Sequence, residues 1–178
     1  MPHIRLPKGQ PGIRGLFAFS PSSAKPLLDL AQTLLRGDST LSVGERELIA
    51  AYVSRKNGCF FCGMSHGAAA QCLLPNGRSV VSSVLKNPER AAISTKLKSL
   101  LAVASKVAKS GKRVLKSDIG KARRAGASEK EIHDTVLIAA AFCMYNRYVD
   151  GLATWAPKSK AAYDKMGKFL AECGYAGR

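Results

Sequence analysis

No stretch of this 178-residue chain approaches the ~20 consecutive apolar residues that a membrane-spanning helix requires. The opening MPHIRLPKGQPGIRG places Pro and Gly where a signal peptide would carry an apolar run. These absences point to a cytoplasmic protein without a membrane partner. Also missing is any alternating apolar and polar run bounded by hairpin turns, which argues against a β-sheet and leaves an all-α fold of seven or eight helices. Acidic residues are scarce, 12 Asp and Glu against 28 Lys and Arg, so the net charge is +16. Residues 86–125 hold 12 of the basic residues, with only Glu89 and Asp118 as acids and no aromatic residue. Such a patch admits a nucleic-acid or acidic partner. Without stacking aromatics, and with its lysines opposite an apolar stripe, the patch reads first as solvated helix faces.

What is present is enough for one core: 46% of the residues are hydrophobic. Residues 1–22 carry Pro2, Pro7, Pro11 and Pro21, and predict an extended arm ahead of a single helical domain over 23–178. Pro26 suits the first turn of a helix that Gly37 ends. Ser42 and Glu45 stand in capping-box spacing before a helix over about 43–57, and Asn57-Gly58 closes it. A second helix follows over about 59–74, up to the turn Pro75-Asn76-Gly77. Over 90–109, Ile93, Leu97, Leu100, Leu101, Ala104 and Ala108 share one face, with Lys98, Lys106 and Lys109 opposite. A basic helix near 117–125, a long one opened by the Ser128/Glu131 box and running to about Leu152, and a last one over about 158–173 complete the reading. The long helix is apolar around most of its circumference, which predicts a central position or a subunit interface, and hence a homo-oligomer.

The chemistry is concentrated in NGCFFCGMSH, residues 57–66. On a helix, Cys59, Cys62 and His66 fall at i, i+3 and i+7 and line one stripe. A thiol at a helix N-terminus in a Cys-x-x-Cys spacing is favoured as thiolate, and a neighbouring thiol can resolve it to a disulfide. His66 can move the proton. If the two helices form an antiparallel hairpin about Asn57-Gly58, Glu47 stands level with about residue 68 and about 10 Å along the axis from Cys62, so it reaches His66 before either sulfur. The order Glu47, His66, thiol is the relay that the spacing predicts. The apolar neighbours of Glu47 predict a carboxylate raised toward general-base range. Zinc is the competing use of Cys59, Cys62 and His66, but no fourth ligand follows at knuckle spacing, and His133 and His3 read as surface residues. The isolated Cys72, Cys143 and Cys173 read as small buried hydrophobes, and Asn146, Arg147 and Asp150 as an internal polar network.

These residues resemble the carboxymuconolactone decarboxylase superfamily, and within it the AhpD-like, peroxidase-related branch. Its mark is Glu, eleven residues, then Cys-x-x-Cys-x-x-x-His, matched here by Glu47, Cys59, Cys62 and His66. The surrounding GERELIAAYVSRKNGC and the later AAFCMYNRYVDGL are similar too. The resemblance implies an AhpD-like helical fold, oligomeric assembly, and alkyl hydroperoxidase (peroxiredoxin-like, antioxidant) or dithiol-disulfide exchange activity. It also implies a hydroperoxide or disulfide substrate, a thiol electron donor, and no bound metal or organic cofactor. In such proteins Cys62 would meet the peroxide and Cys59 resolve it, whereas the helix-terminus argument favours Cys59. Phe61 stands where the best-studied members carry a second His, so part of their proton relay is missing. The decarboxylase branch typically lacks the paired Cys.

Overall fold

A computed structural model describes residues 1–175. Among these the chain forms nine α-helices and no strand: α1 (Ile13–Phe19), α2 (Pro21–Arg36), α3 (Val43–Lys56), α4 (Phe60–Leu73), α5 (Gly77–Lys86), α6 (Thr95–Lys109), α7 (Lys116–Arg124), α8 (Glu129–Gly151) and α9 (Lys160–Cys173). Single 3-10 turns at Pro88–Arg90 and Gly111–Arg113 flank α6. No helix among the described residues is long and apolar enough to cross a membrane.

The capping signals act where their chemistry predicts. Ser42 Oγ accepts from Glu45 N and Glu45 returns the bond to Ser42 N, so two of the orphan donors at the start of α3 are satisfied reciprocally. Ser128 and Glu131 do the same for α8. The N-terminal expectations need correction. Of residues 1–22, only 1–12 and Ser20 lack helix; Ile13–Phe19 coils into α1, and α2 begins at Pro21, which leaves Pro26 inside the helix instead of in its first turn. Proline suits N1, where its missing N–H is not needed, so Pro21 starts the helix. The arm is tied down by His3 N–H to Leu152 O and Gly12 N–H to Trp155 O. Helix α5 has no counterpart in the sequence reading, because the turn at Pro75-Asn76-Gly77 reads as the start of a loop; here Gly77 opens the helix.

The most enclosed element is α3. Every residue from Arg46 to Ser54 is buried, and the helix packs against α4, α6 and α8. Helix α8 crosses it with a buried face that includes Ile138, Phe142 and Tyr145, and leaves Leu137 and Met144 exposed on the other. Close approach of α9 to α4 depends on small residues. A Cβ on Gly167 would lie 2.5 Å from the Cβ of Ala68. Cys72 and Cys173 are exposed, and Cys143 is half-buried, so none of the three is the fully buried hydrophobe expected of it; Cys72 lies on the outer side of α4 and Cys173 in the last turn of α9.

Gly167→Val should lower stability by about 1–3 kcal/mol through overpacking at the α4–α9 contact, seen as a reduced urea midpoint with an unchanged slope. Gly111→Ala, which meets nothing within 4 Å, should stay within about 0.5 kcal/mol of wild type.

Candidate active site

The site is built on the α3–α4 hairpin. Asn57 ends α3, Gly58 turns the chain at φ +78°, and Cys59 N–H donates to Ser54 O at 3.0 Å. Cys59 is therefore the N-cap of α4, Cys62 sits in its first turn and His66 one turn further. The turn is braced from α8: Asn57 Nδ2 donates to Asn146 Oδ1 at 2.8 Å, and Asn146 Nδ2 to Ser54 Oγ at 3.0 Å. Of the three polar residues expected to form an internal network, only Asn146 is buried. Arg147 and Asp150 are exposed, and Arg147 donates to the carbonyl of Cys143 on its own helix.

Glu47 is fully buried, and its carboxylate meets an imidazole, a guanidinium and a phenol. His66 Nδ1 lies 2.7 Å from Oε2, Arg36 Nη2 2.8 Å from Oε1, and Tyr175 Oη donates to Oε1 at 2.8 Å. The Tyr175 hydroxyl also lies 3.2 Å from His66 Nδ1, and its ring stacks at 16° to the imidazole. The sequence predicts a raised Glu47 carboxyl; the structure overturns this. Burial does push it up, but His66, Arg36 and Tyr175 together outweigh burial and hold it below its ordinary value. An ionised, fully bonded carboxylate orients its partners; it does not accept protons near neutrality. With Nδ1–H donated to Glu47, Nε2 is the imidazole nitrogen left to exchange a proton.

The cysteines are unequal. Cys59 is pushed up, first by its hydrogen bond with Cys62, then by burial, with the Asp150 carboxylate adding to the rise. These effects on Cys59 oppose that of its place at the helix N-terminus. Cys62, although buried, lines a cavity of about 60 Å³ with His66, Phe61, Phe142, Tyr145 and Tyr175. Among the described residues no hydrogen bond joins His66 to either sulfur, so the cavity separates base from thiol. Nor does any group of three His, Cys, Asp or Glu side chains there come together as a metal-holding set.

Three participants escape local sequence reading. Arg36 ends α2 and Tyr175 follows α9, 11 and 128 residues from Glu47, with no motif to mark either. A buried carboxylate demands a cation, and that demand is the one available signal for Arg36. Tyr163 on α9 is buried, its ring edge-on to Phe60 at 5.9 Å, its hydroxyl without a hydrogen-bond partner among the described residues and pushed up to about 12 by burial and then by Cys59 and Cys62.

Residues 83–156 match the carboxymuconolactone decarboxylase family, a span that begins after α4 and excludes Glu47, Cys59, Cys62 and His66. No curated protein matches the chain. An uncharacterized peroxidase-related protein from Ralstonia eutropha JMP134, with an alkylhydroperoxidase AhpD core, is 25% identical, with a TM-score of 0.77 over 89% of this chain and 81% of that one. An uncharacterized peroxidase-related protein from Silicibacter sp. TM1040 is 27% identical, with a TM-score of 0.75 over 84% and 76%. A protein of unknown function from Agrobacterium tumefaciens shares the fold at 20% identity, with a TM-score of 0.67 over 83% and 99%. Over residues 83–156 the chain thus matches the carboxymuconolactone decarboxylase family, and its all-helical fold is AhpD-core-like.

Proposed function

We propose that this protein is a thiol-dependent hydroperoxidase in which Cys62 meets the peroxide, Cys59 resolves it and His66 carries the proton. The observation that carries the reading is one shared cavity wall: Cys62 and His66 both face the same small space, and the buried Glu47 fixes the imidazole there. Through a water bridging the cavity His66 takes the Cys62 proton, and the thiolate attacks the terminal oxygen of ROOH. An S–O bond forms, the O–O bond breaks, and the departing alkoxide takes the proton back from His66 as ROH. Between these transfers His66 is an imidazolium, which the ionised Glu47 stabilises. Cys59 then attacks the Cys62 sulfenic sulfur; an S–S bond forms, the S–O bond breaks, and hydroxide leaves with the Cys59 proton as water. A thiol pushed toward its protonated form, as Cys59 is by Cys62 and by burial, suits the resolving role. Two electrons pass to the peroxide, and a thiol donor restores the pair.

Both sulfurs are buried, Cys59 at 1% and Cys62 at 4% exposure. That burial favours a small or slender substrate over disulfide exchange with the surface of a folded protein. The peroxidase-related neighbours support the same class of chemistry.

The reading is tested by treating the reduced protein with one equivalent of ethyl hydroperoxide and mapping oxidised cysteines by mass spectrometry. A Cys59–Cys62 disulfide should form in the wild type. Cys59→Ser should stop at a sulfenic acid on Cys62, and Cys62→Ser should show no rapid oxidation. Inert thiols in the wild type would sink the proposal. His66→Asn should lower kcat/KM for the peroxide by roughly 100-fold.

The ionised Glu47 also predicts the acid side of the stability profile. Its folded-state value lies below the ordinary 4.5, so its contribution is complete above that pH and is lost as pH falls through the lower folded value. Glu47→Gln should cost about 3–5 kcal/mol near neutrality, because Arg36 loses its buried partner. It should also flatten stability against pH in the acid range, as read by denaturant titrations at several pH values.

A further inference from the structure

A groove of about 940 Å³ runs beside the catalytic cavity, between the N-terminal arm, α1, the start of α2 and α9. Arg14, Phe17, Leu28 and Met166 wall both spaces, so the groove opens along the cavity that holds Cys62 and His66. Its lining has two kinds of group. Phe17, Leu28 and Met166 extend to the exposed rings of Trp155 and Phe169, 45% and 47% accessible, and give an apolar track. Arg14, Lys25 and Lys165 supply cations, and no carboxylate lines the groove. Lys25 is already paired with Asp29 at 2.6 Å, but Arg14 and Lys165 have no acidic partner among the described residues. Exposed aromatic surface is costly in water, and beside cations without an acidic partner it is complementary to one class of small molecule.

We propose that the groove binds a free anionic amphiphile, a fatty-acid-like carboxylate whose alkyl chain lies over Phe17, Leu28 and Met166 and whose anionic head meets Arg14 and Lys165. Its volume is in the range of pockets that enclose a ligand of that size. If the hydroperoxidase reading holds, and resting on it, the substrate class is an acyl-chain hydroperoxide carried as its carboxylate, with the peroxide delivered past Met166 and Phe17 to Cys62. The charge at the rim selects the acid over its neutral counterpart; the track selects for chain length.

Trp155 is the one tryptophan in the sequence and lines the groove, so its emission reports occupancy without labelling. The full-length protein is titrated with dodecanoate, octanoate and dodecanol below their aggregation limits, following Trp155 emission and, independently, calorimetric heat. Saturable binding of dodecanoate is expected, tighter than dodecanol by about fivefold or more. Affinity should weaken by about fourfold for each methylene removed from the track. Arg14→Glu and Lys165→Glu should each erase the preference for the acid while dodecanol binds as before. Absence of saturable binding by both methods, equal affinity for acid and alcohol, or emission that follows protein concentration instead of ligand, as when a second copy fills the groove, overturns the proposal. The two readings fail separately. Ethyl hydroperoxide reduction without amphiphile binding removes the groove assignment alone, and amphiphile binding with inert thiols removes the hydroperoxidase assignment alone.

Discussion

The arrangement depends on one buried carboxylate. An unpaired charge in a core costs several kcal/mol, and Glu47 has no exposure at all. Its position is tenable because three separate parts of the chain converge on it: the end of α2 through Arg36, α4 through His66 and the segment after α9 through Tyr175. Those contacts hold the carboxyl below its ordinary value against the effect of burial. The ion cluster that makes Glu47 compatible with the interior also fixes the tautomer and direction of His66, so structural and chemical demands are met by the same four side chains.

The two cysteines, three residues apart, receive different environments from the hairpin. Cys59 caps α4 and is pushed toward its protonated form by its neighbour, by burial and by Asp150, while both sulfurs pack in one apolar cluster with Leu16, Val149 and Tyr163. Cys62 forms one wall of the cavity that His66 shares. Helix-terminus electrostatics alone would favour Cys59 as the thiolate. Burial and a neighbouring thiol outweigh a partial dipole charge, which fades within a turn. Phe61, in the position where a second His would extend the relay, packs between Gly12 of the arm and Tyr163 of α9 and keeps this end of the site apolar.

Local chemistry makes much of this legible from sequence. The Ser42/Glu45 and Ser128/Glu131 boxes fix two helix starts, Asn57-Gly58 fixes the hairpin, and helical spacing puts Cys59, Cys62 and His66 on one stripe, with His66 within reach of Glu47. What depends on distant partners is not legible. Arg36 and Tyr175 join the site only through tertiary packing, and the sign of the Glu47 shift reverses because of them. Helices α1 and α5 escape a sequence reading because Pro and Gly, which read as breakers, here open helices or sit beside them. The expected burial of Cys72 and Cys173 fails for a related reason: an apolar neighbourhood in sequence does not say which face of a helix a residue occupies.

If the hairpin makes Cys62 the reactive thiol and keeps Cys59 protonated, the two sulfurs must differ in reactivity. Site-resolved alkylation tests this most directly: the reduced protein is exposed to iodoacetamide across a pH series, and modification at Cys59 and Cys62 is quantified separately by mass spectrometry. Cys62 should be modified first near neutral pH, with Cys59 following only in alkaline solution, and His66→Asn should slow Cys62 without accelerating Cys59. Faster modification of Cys59 near neutrality would contradict the assignment.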